Sequence, residues 1–321
     1  MIAGGAGFLG FNFSKKLLQT GSSTLTIVDN FSTSDRSNIV KLQEYGNFEF
    51  IESSIEELPS NIEANQIYNL ACPASPVHYQ DNPIETWKAS TFGTYSLLEI
   101  AKENKATLLQ ASTSEIYGDP LQHPQIEEYW GNVNPIGVRA CYDEGKRAAE
   151  SLIYDYRRVY GLDAKIVRIF NTYGPYMHPN DGRAVSNFIM AALKNEALEI
   201  YGDGAATRCF CYVDDLIEGL ISAMNTKFDV PINLGTSMEI KISELAEMIK
   251  RITKSESQIR YLPPKLDDPA MRRPDLARAT EILNWTGDVK LEDGLEKTIE
   301  YFREISTNAN DPELVLQQNR I

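Results

Sequence analysis

The sequence has few of the residues that build metal sites or disulfide frameworks. It contains four cysteines and three histidines among 321 residues. Cys209 and Cys211 alternate as residues of one strand would, and with Cys72 and Cys141 they follow no metal-ligand spacing. We therefore expect free thiols in a reducing compartment and no bound metal.

Positive charge and long apolar runs are also scarce. Lys and Arg total 31 against 45 Asp and Glu, which gives a formal net charge of −14 and disfavours binding to nucleic acid or anionic lipid. No run of about eighteen apolar residues occurs, and the first residues carry no basic, signal-type segment. These absences predict a cytoplasmic protein with neither nucleic acid nor membrane as a partner.

What the sequence does contain is an alternation of buried strands with helices. Short runs rich in β-branched residues occur at 24–30, 47–52, 66–71, 106–113 and 163–170, separated by segments of helical or loop composition. This order is typical of parallel strands joined by crossover helices. It predicts an α/β fold, a doubly wound parallel sheet with a smaller C-terminal lobe for a substrate.

The alternation weakens after about residue 170, where we place a domain boundary. Residues 1–170 form the predicted sheet domain, to which the chain returns near 210–236 with another buried strand. Residues 171–308 form the second lobe. Residues 309–321 are polar without a hydrophobic period, which predicts a flexible tail.

A glycine-rich segment opens the chain. Gly4, Gly7 and Gly10 have G-x-x-G-x-x-G spacing before a predicted helix that runs to about Thr20, and the next strand ends at Asp29. Glycines let the backbone approach a pyrophosphate at a helix N-terminus, and an acid at that strand end can bind a ribose hydroxyl. The pattern predicts a Rossmann-type domain that binds NAD rather than NADP; a glycine-rich turn with a surface aspartate is the alternative interpretation.

Tyr142 and Lys146 lie four residues apart in a segment of helical composition. Residues at that spacing share one face of a helix. A nearby ammonium favours the phenolate and lowers the pKa of a tyrosine toward working pH, which suits a base that removes a hydroxyl proton. An ordinary surface pair on an amphipathic helix is the alternative.

Several motifs together resemble one enzyme family. They are residues 4–10, 111–120, 129–150, 168–175, 180–189 and 207–216. In combination they resemble the extended short-chain dehydrogenase/reductases that act on nucleotide sugars, over about residues 1–305, and most closely the members that decarboxylate UDP-glucuronate. The resemblance implies conversion of UDP-glucuronate to UDP-xylose through a 4-keto intermediate, with NAD recycled in each turnover.

The resemblance also implies which residues take part. The catalytic residues would be Thr113, Glu115, Tyr142, Lys146 and Arg272. The cofactor-binding residues would be Gly4, Gly7, Phe8, Leu9, Gly10, Asp29, Asn30, Phe31, Ser54, Ala71, Tyr142 and Lys146. The substrate-binding residues would be Ser114, Asn171, Arg183, Tyr201, Arg208 and Arg272.

In this interpretation Tyr142 takes the proton of the sugar C4 hydroxyl, and Thr113 lies near that oxygen. Glu115 and Arg272 orient the sugar and manage protons at C5. Arg273 could replace Arg272 by a slip of one residue. Alternatively, Arg272 could form a surface pair with an aspartate at 267 or 268.

Two segments, 83–105 and 142–160, have helical spacing and more apolar residues than one face of a sheet needs. We expect them to pair with the same segments of a second copy. The resemblance implies the same homodimer, because family members associate through these two helices.

Some positions depart from the family pattern and keep alternatives open. Ser54 and Ser90 replace an aspartate and an asparagine that are usual near the cofactor, which would weaken NAD binding. These departures leave open a catalytically idle relative that binds NAD or a UDP-sugar. A nucleotide-sugar 4,6-dehydratase is the other competing hypothesis, although Ser114 stands where the dehydratases have an aspartate that serves as an acid.

Overall fold

The fold is that of a computed structural model, which describes residues 1–21 and 24–308. The tail predicted at 309–321 lies outside the described residues. The strands are β1 (Ile2–Ala3), β2 (Thr26–Asp29), β3 (Glu49–Glu52), β4 (Gln66–Asn69), β5 (Thr107–Thr113), β6 (Ala164–Ile169), β7 (Thr172–Tyr173), β8 (Leu198–Tyr201), β9 (Thr207–Cys209), β10 (Cys211–Tyr212), β11 (Ile232–Leu234), β12 (Glu239–Lys241), β13 (Ile259–Leu262) and β14 (Met271–Arg272).

The α-helices alternate with these strands along the chain. They are α1 (Phe8–Thr20), α2 (Ser37–Leu42), α3 (Pro76–Asp81), α4 (Pro83–Lys88), α5 (Thr94–Asn104), α6 (Ala140–Tyr160), α7 (Ala184–Lys194), α8 (Val213–Asn225), α9 (Ile242–Thr253), α10 (Ala277–Leu283) and α11 (Leu291–Asn308). Short 3₁₀ helices occur at Ile55–Glu57 and Ser114–Tyr117, and a π-helical turn at Ala89–Gly93 joins α4 to α5. Within the described residues, none of the helices is both long enough and apolar enough to cross a bilayer.

A seven-stranded sheet lies at the centre, in the order β3-β2-β1-β4-β5-β6-β11. Each neighbouring pair in it is parallel. The predicted doubly wound parallel sheet is therefore confirmed, and each predicted run contains one strand. Because the strands are parallel, their carboxyl ends meet at one edge of the sheet, where such folds bind ligands.

Side chains of the central strands alternate between two cores, as the period of two requires. Ile2, Ile27 and Leu109 face a core that includes residues of α1 and α8. Their neighbours in sequence face a second core, formed with residues of α5 and α6; they include Ala3, Val28 and Leu108. Helices thus cover both faces of the sheet.

The second lobe is built from short strands and helices after β6. β8 pairs with β13 in parallel, and β9 lies between β12 and β14. Its buried residues, among them Phe188 of α7, Leu245 of α9 and Phe302 of α11, belong to the same apolar cluster as one face of the central sheet. The lobe therefore shares a continuous core with that face of the sheet.

The segment predicted as one helix over 83–105 is continuous but contains the π turn. The turn lies against α6, where a Cβ on Gly145 would be 2.9 Å from the Cβ of Ser90. A residue larger than glycine at 145 would push the two segments apart, so this contact fixes how closely the π turn approaches α6.

Candidate active site

A cleft of about 1180 Å³ opens at the carboxyl edge of the central sheet, between it and the second lobe. Its lining includes every residue predicted from the sequence for cofactor, substrate and catalysis, with one exception, Phe31. The residues come from both parts of the chain, which explains why the predicted groups are so widely spaced in sequence.

The glycine-rich turn forms one end of the cleft. Gly4 has a φ of +78°, and a Cβ there would lie 2.8 Å from the backbone of Ala71; a Cβ on Gly10 would lie 1.9 Å from the carbonyl oxygen of Gly4. Helix α1 begins at Phe8, directly after this turn. Its first amides have no acceptor inside the helix, so they provide donors for an anion.

Asp29 ends β2 beside this turn and is buried. One carboxylate oxygen accepts hydrogen bonds from the Phe31 amide and the Ser34 hydroxyl, at 2.9 and 2.8 Å. The other accepts from the Ala6 amide at 2.9 Å. The carboxylate is held at the cleft wall, where a ribose hydroxyl would meet it.

Phe31 is the one predicted cofactor-binding residue that does not line the cleft. Its φ is +57°, and its ring packs 5.5 Å from that of Phe50 with the Arg36 guanidinium 4.4 Å from its centroid. Asn30 does line the cleft. The left-handed backbone at residue 31 turns the aromatic ring toward the core edge.

Tyr142 and Lys146 lie on the first two turns of α6, and both are buried. The Tyr142 ring stacks on that of Tyr79, with centroids 5.1 Å apart and planes 1° from parallel. The Lys146 ammonium lies 5.8 Å from the Tyr142 ring centroid and donates to the Ala111 carbonyl oxygen at 2.9 Å. Helical spacing therefore places both groups on one face, as predicted.

The expected direction of the Tyr142 pKa is wrong for this structure. Burial raises the pKa of Tyr142, and nearby Cys72 raises it further, against the hydrogen bond from Thr113, which lowers it. A phenolate would lose hydration that the aromatic surroundings do not replace. The phenol is therefore the form that this structure favours.

Glu115 is the centre of a charged cluster opposite this tyrosine. Both oxygens of Glu115 accept from Arg272, at 2.6 and 2.8 Å, and Oε2 also accepts from Arg139 at 2.6 Å. Both arginines are buried. A fork of two parallel hydrogen bonds is the strongest geometry for such a pair.

The cluster sets the ionisation of Glu115. Burial would raise its pKa, but Arg272 and Arg139 outweigh burial and hold the pKa of Glu115 well below its ordinary value. Glu115 is therefore a carboxylate, which can accept a proton or position an arginine but holds no proton to donate. In this state Glu115 does not donate a proton to C5, so its expected role at C5 is limited to accepting a proton or holding the arginines.

Arg272, rather than Arg273, reaches the cleft. Arg272 pairs with Glu115 and not with either aspartate considered from the sequence. The Arg273 backbone amide donates to Gln125 at 2.8 Å, and Arg273 does not line the cleft. The β14 register explains this, since Arg272 lies opposite Arg208 of β9.

The remaining substrate candidates lie in the second lobe. Arg183 precedes α7 and pairs with Asp181. Arg208 of β9 is buried and pairs with Asp268 at 3.2 Å. The others, which also line the cleft, are Ser114, Asn171 and Tyr201.

Two functional candidates were missed from the sequence. Arg139 contacts both Glu115 and Asp268, and Asp268 contacts both Arg139 and Arg208. Arg139 lies three residues before Tyr142, a spacing that places two residues near one face of a helix and could have indicated it. Asp268 has no comparable local signal.

Of the two serines that depart from the family pattern, only one reaches the cleft. Ser54 lines it, just before the 3₁₀ helix Ile55–Glu57. Ser90 is buried in the π turn, with its hydroxyl 3.1 Å from the Cys72 sulfur. Any direct effect on a cofactor therefore falls to Ser54.

Comparison with known proteins agrees with this geometry. The family model described as GDP-mannose 4,6 dehydratase matches residues 1–298. UDP-glucuronic acid decarboxylase 1 of Danio rerio is 51% identical over 312 residues, which are 97% of this chain and 74% of the relative. The chain belongs to the UDP-glucuronic acid decarboxylase family.

Related enzymes with solved structures share the fold of this decarboxylase family member. UDP-glucose 4-epimerase of Thermotoga maritima, with UDP-glucose, has a TM-score of 0.88 at 29% identity over 95% of this chain and 98% of its own. UDP-glucuronic acid 4-epimerase of Bacillus cereus, in complex with UDP-glucuronic acid and NAD, has a TM-score of 0.86 at 26% identity, with coverage of 95% and 98%.

Four arginines that line the cleft are each paired with a carboxylate: Arg139, Arg183, Arg208 and Arg272. Over residues 1–21 and 24–308, no cluster of three or more His, Cys, Asp or Glu side chains is arranged to hold a metal ion.

Proposed function

We propose that the chain converts UDP-glucuronate to UDP-xylose and carbon dioxide, with NAD as a recycled cofactor. The observation that carries the proposal is the Glu115–Arg272–Arg139 cluster, which shares one cleft with Tyr142 and with the glycine-rich turn. The names of the curated relatives support the same activity.

The residues at the glycine-rich end of the cleft fit NAD. The Gly4 and Gly10 positions have no room for a Cβ, so glycine lets the turn pack closely before α1 begins, and the first amides of α1 would face a pyrophosphate. Asp29 is placed for a ribose hydroxyl. When bound, NAD would accept a hydride from the sugar and return it in the same turnover.

Tyr142 is assigned to the proton of the C4 hydroxyl. Its ring is fixed by stacking on Tyr79, and Thr113 hydrogen-bonds its hydroxyl. As a phenolate, it would take that proton when the alcohol becomes a ketone and return it when the ketone is reduced. Burial favours the phenol in this structure, so the proposal requires that the positive charges of Lys146, 5.8 Å from the ring centroid, and of bound NAD⁺ lower the pKa of Tyr142 during turnover.

Oxidation at C4 is what makes the carboxylate labile. A carboxylate β to a ketone can leave as carbon dioxide, because the electrons left at C5 delocalise into the C4 carbonyl. The enolate is then protonated at C5 by a proton drawn from solvent, so the overall reaction consumes one proton and releases one carbon dioxide. Reduction at C4 completes UDP-xylose, so no net oxidation occurs.

Arg272 and Arg139 are assigned to hold the uronate sugar during these steps. Their Nε atoms are buried without a hydrogen-bond partner, and both residues line the cleft. A buried donor without an acceptor costs about 1–3 kcal/mol. A sugar hydroxyl or the uronate carboxylate would supply the acceptor, while Glu115 fixes both guanidinium groups.

The nucleotide is assigned to the second lobe. Arg183 and Arg208 would bind the diphosphate, since a guanidinium fork matches phosphate oxygens. Tyr201 would contact the base. These three residues line the cleft, together with Asn171.

Ser114 argues against a 4,6-dehydratase, although the matching family model carries that description. Ser114 is buried directly beside Glu115. Its hydroxyl is a poor acid for expelling the C6 hydroxyl that a dehydratase removes. Glu115, being ionised, holds no proton for that step either.

A substrate comparison tests the assignment. The purified protein is incubated with NAD⁺ and either UDP-glucuronate or UDP-glucose, and the nucleotide sugars are identified by mass spectrometry. We expect UDP-glucuronate to lose carbon dioxide and UDP-glucose to stay unchanged. Loss of water from UDP-glucose would identify a dehydratase, and no product from either sugar would indicate an idle binder.

A homodimer through the helices near 83–105 and 142–160 remains part of the proposal. Their outer faces expose apolar side chains, each at least 39% accessible: Ile84, Trp87, Phe92, Tyr95, Tyr154, Val159 and Tyr160. We call this set the helix-pair surface. A cluster of exposed apolar groups of this kind is typical of an interface, and a second copy of the same helices would cover it.

The proposal also covers the cellular location of the protein and its division into two parts. A cytoplasmic location is supported by the four free cysteines, which suit a reducing compartment. The division into a sheet domain at 1–170 and a lobe at 171–308 is supported by the cleft between them. The exception is β11, which returns from the second part of the chain to the edge of the large sheet.

A further inference from the structure

The loop between β13 and β14, residues 263–270, reaches into the cleft from the second lobe. We call it the β13–β14 loop. Lys265 and Asp268 of this loop line the cleft. Each contacts a residue that the proposed function assigns to the nucleotide, so the loop and the nucleotide would compete for the same partners.

Lys265 lies over the ring of Tyr201, the residue that the proposed function assigns to the base. Its ammonium lies 4.1 Å from the centroid of the Tyr201 ring, which is a close cation–π contact. Tyr201 ends β8 directly opposite Leu262, the last residue of β13. The start of the loop is therefore fixed beside this ring, and the lysine lies over the face that a base would occupy.

Asp268 neutralises the arginine assigned to the diphosphate. Its two oxygens accept from Arg208 and Arg139, both at 3.2 Å. Arg208 also donates to the Pro269 carbonyl oxygen at 2.7 Å. The Ala270 carbonyl oxygen accepts from Arg208 as well, at 3.4 Å. Three oxygens of the loop thus occupy donors of Arg208 that phosphate oxygens would take.

Of the carboxylates paired with cleft arginines, Asp268 is the least buried. Its side chain is 43% exposed, against 15% for Glu115 and 9% for Asp181. Its hydrogen bonds are also longer than those between Glu115 and Arg272. A partly exposed ion pair contributes less free energy than a buried pair with two parallel hydrogen bonds. Asp268 is therefore the counter-ion that an entering anion displaces most readily.

The other side of the loop contacts Asn134 and Asp119, which do not line the cleft. Asn134 donates to both carboxylate oxygens of Asp267, at 3.2 and 3.3 Å. The backbone amide of Ala270 donates to Asp119 at 3.0 Å. Asp267 thus differs from Asp268, because it contacts Asn134 rather than the cleft arginines.

We propose that the β13–β14 loop is an internal occupant of the nucleotide subsite, with Lys265 in place of the base and Asp268 in place of the diphosphate. Binding of the nucleotide sugar exchanges these contacts, and part of its binding energy is spent in displacing the loop. The inference rests on the proposed function, because it assumes that Tyr201 and Arg208 bind the nucleotide.

Calorimetric titration with UDP tests this on the full chain. Asp268→Asn removes the charge that competes with the diphosphate, and we expect it to bind UDP about threefold to tenfold more tightly than wild type. Asp268→Ala should bind more tightly as well. The matched control is Asp267→Asn, which removes the same charge from the same loop away from the arginines and should bind UDP like wild type.

A kinetic measurement separates displacement from a positioning role. If Asp268 competes with the nucleotide, Asp268→Asn lowers the KM for UDP-glucuronate by the same factor, whereas a fall in kcat with no change in KM would show that Asp268 acts by positioning Arg139. Unchanged or weaker UDP binding by both Asp268 variants would overturn the proposal, because it would mean that Asp268 holds the arginines in place.

The outcomes also distinguish this inference from the proposed function. Tighter UDP binding by the Asp268 variants, with no decarboxylation by any protein, would contradict the activity and keep the loop proposal. Absence of UDP binding even in wild type would contradict the nucleotide assignment on which both depend.

Discussion

Arg272 donates two hydrogen bonds to Glu115, at 2.6 and 2.8 Å, across 157 residues of sequence. The pair joins the end of β5 in the central sheet to β14 in the second lobe. It therefore fixes the two sides of the cleft relative to each other at the point where the sugar is expected to bind.

Replacing Glu115 with Gln tests that pair. The variant keeps the side-chain shape but leaves Arg272 and Arg139 buried without their shared counter-ion. We expect kcat for UDP-glucuronate to fall by about a hundredfold or more. The affinity for UDP, measured by calorimetry, should change little, because the proposal assigns the nucleotide to other residues of the second lobe.

Glu128→Gln is the matched control, since Glu128 is 62% exposed and pairs with Arg278 on the surface. It should keep wild-type turnover. Full turnover by Glu115→Gln would show that the buried cluster is structural only.

Tyr142→Phe removes the hydroxyl and keeps the ring stacked on Tyr79. Without the group that exchanges the C4 proton, kcat should fall by roughly 10²- to 10⁴-fold. The measurement is single-turnover formation of product at saturating NAD⁺. Tyr154→Phe, an exposed residue of the same helix, should leave the rate unchanged; equal rates for both variants would remove Tyr142 from the mechanism.

Local patterns in the sequence were enough to predict most of the sheet and the two ends of the cleft. The strands are short apolar runs, so each could be found from its own residues. The spacing of Gly4 and Gly10, and of Tyr142 and Lys146, lies within one turn or one helix. Such features need no knowledge of the rest of the chain.

Tertiary features could not be predicted in the same way. Asp268 meets Arg139 across 129 residues, and no local period brings them together. The ring direction of Phe31 depends on a left-handed backbone that a phenylalanine rarely adopts. The raised pKa of Tyr142 follows from burial, which the four-residue spacing to Lys146 does not reveal.

Asp143 should make stability depend on pH. Burial raises the pKa of Asp143 to about 8, with a further increase from Glu115 that Arg139 and Arg272 partly oppose. The ordinary value is 3.8, so between these pH values the folded chain keeps a proton that the unfolded chain has lost. Its contribution to stability is complete below about pH 4 and decreases as pH rises toward 8.

Asp143→Asn removes this dependence, because the amide does not ionise. We expect the stability advantage of the variant over wild type to grow by on the order of 3 kcal/mol between pH 5 and pH 8, measured by urea unfolding. Asp155→Asn, on the exposed side of the same helix, is the control. A difference between Asp143→Asn and wild type that stays constant from pH 5 to 8 would contradict the assignment.

The helix-pair surface predicts that the chain dimerises. Phe92 is 65% exposed in the π turn, and Phe92→Asp would place a charge in the proposed contact, which carries a large desolvation cost. Sedimentation equilibrium should show wild type at twice the mass of one chain and Phe92→Asp as a monomer. Leu121→Asp, 85% exposed outside this surface, should remain dimeric; a monomeric wild type would contradict the interface.

The fate of the uronate carboxyl carbon tests the central claim most directly. The protein is incubated with NAD⁺ and UDP-glucuronate labelled with ¹³C at C6, while the labelled gas, the nucleotide sugar and the absorbance of reduced nicotinamide are followed together. The account predicts that the label leaves as carbon dioxide, that unlabelled UDP-xylose forms, and that reduced nicotinamide does not accumulate. Label retained in the nucleotide sugar, whether as unchanged substrate, an epimer or another product, would contradict it.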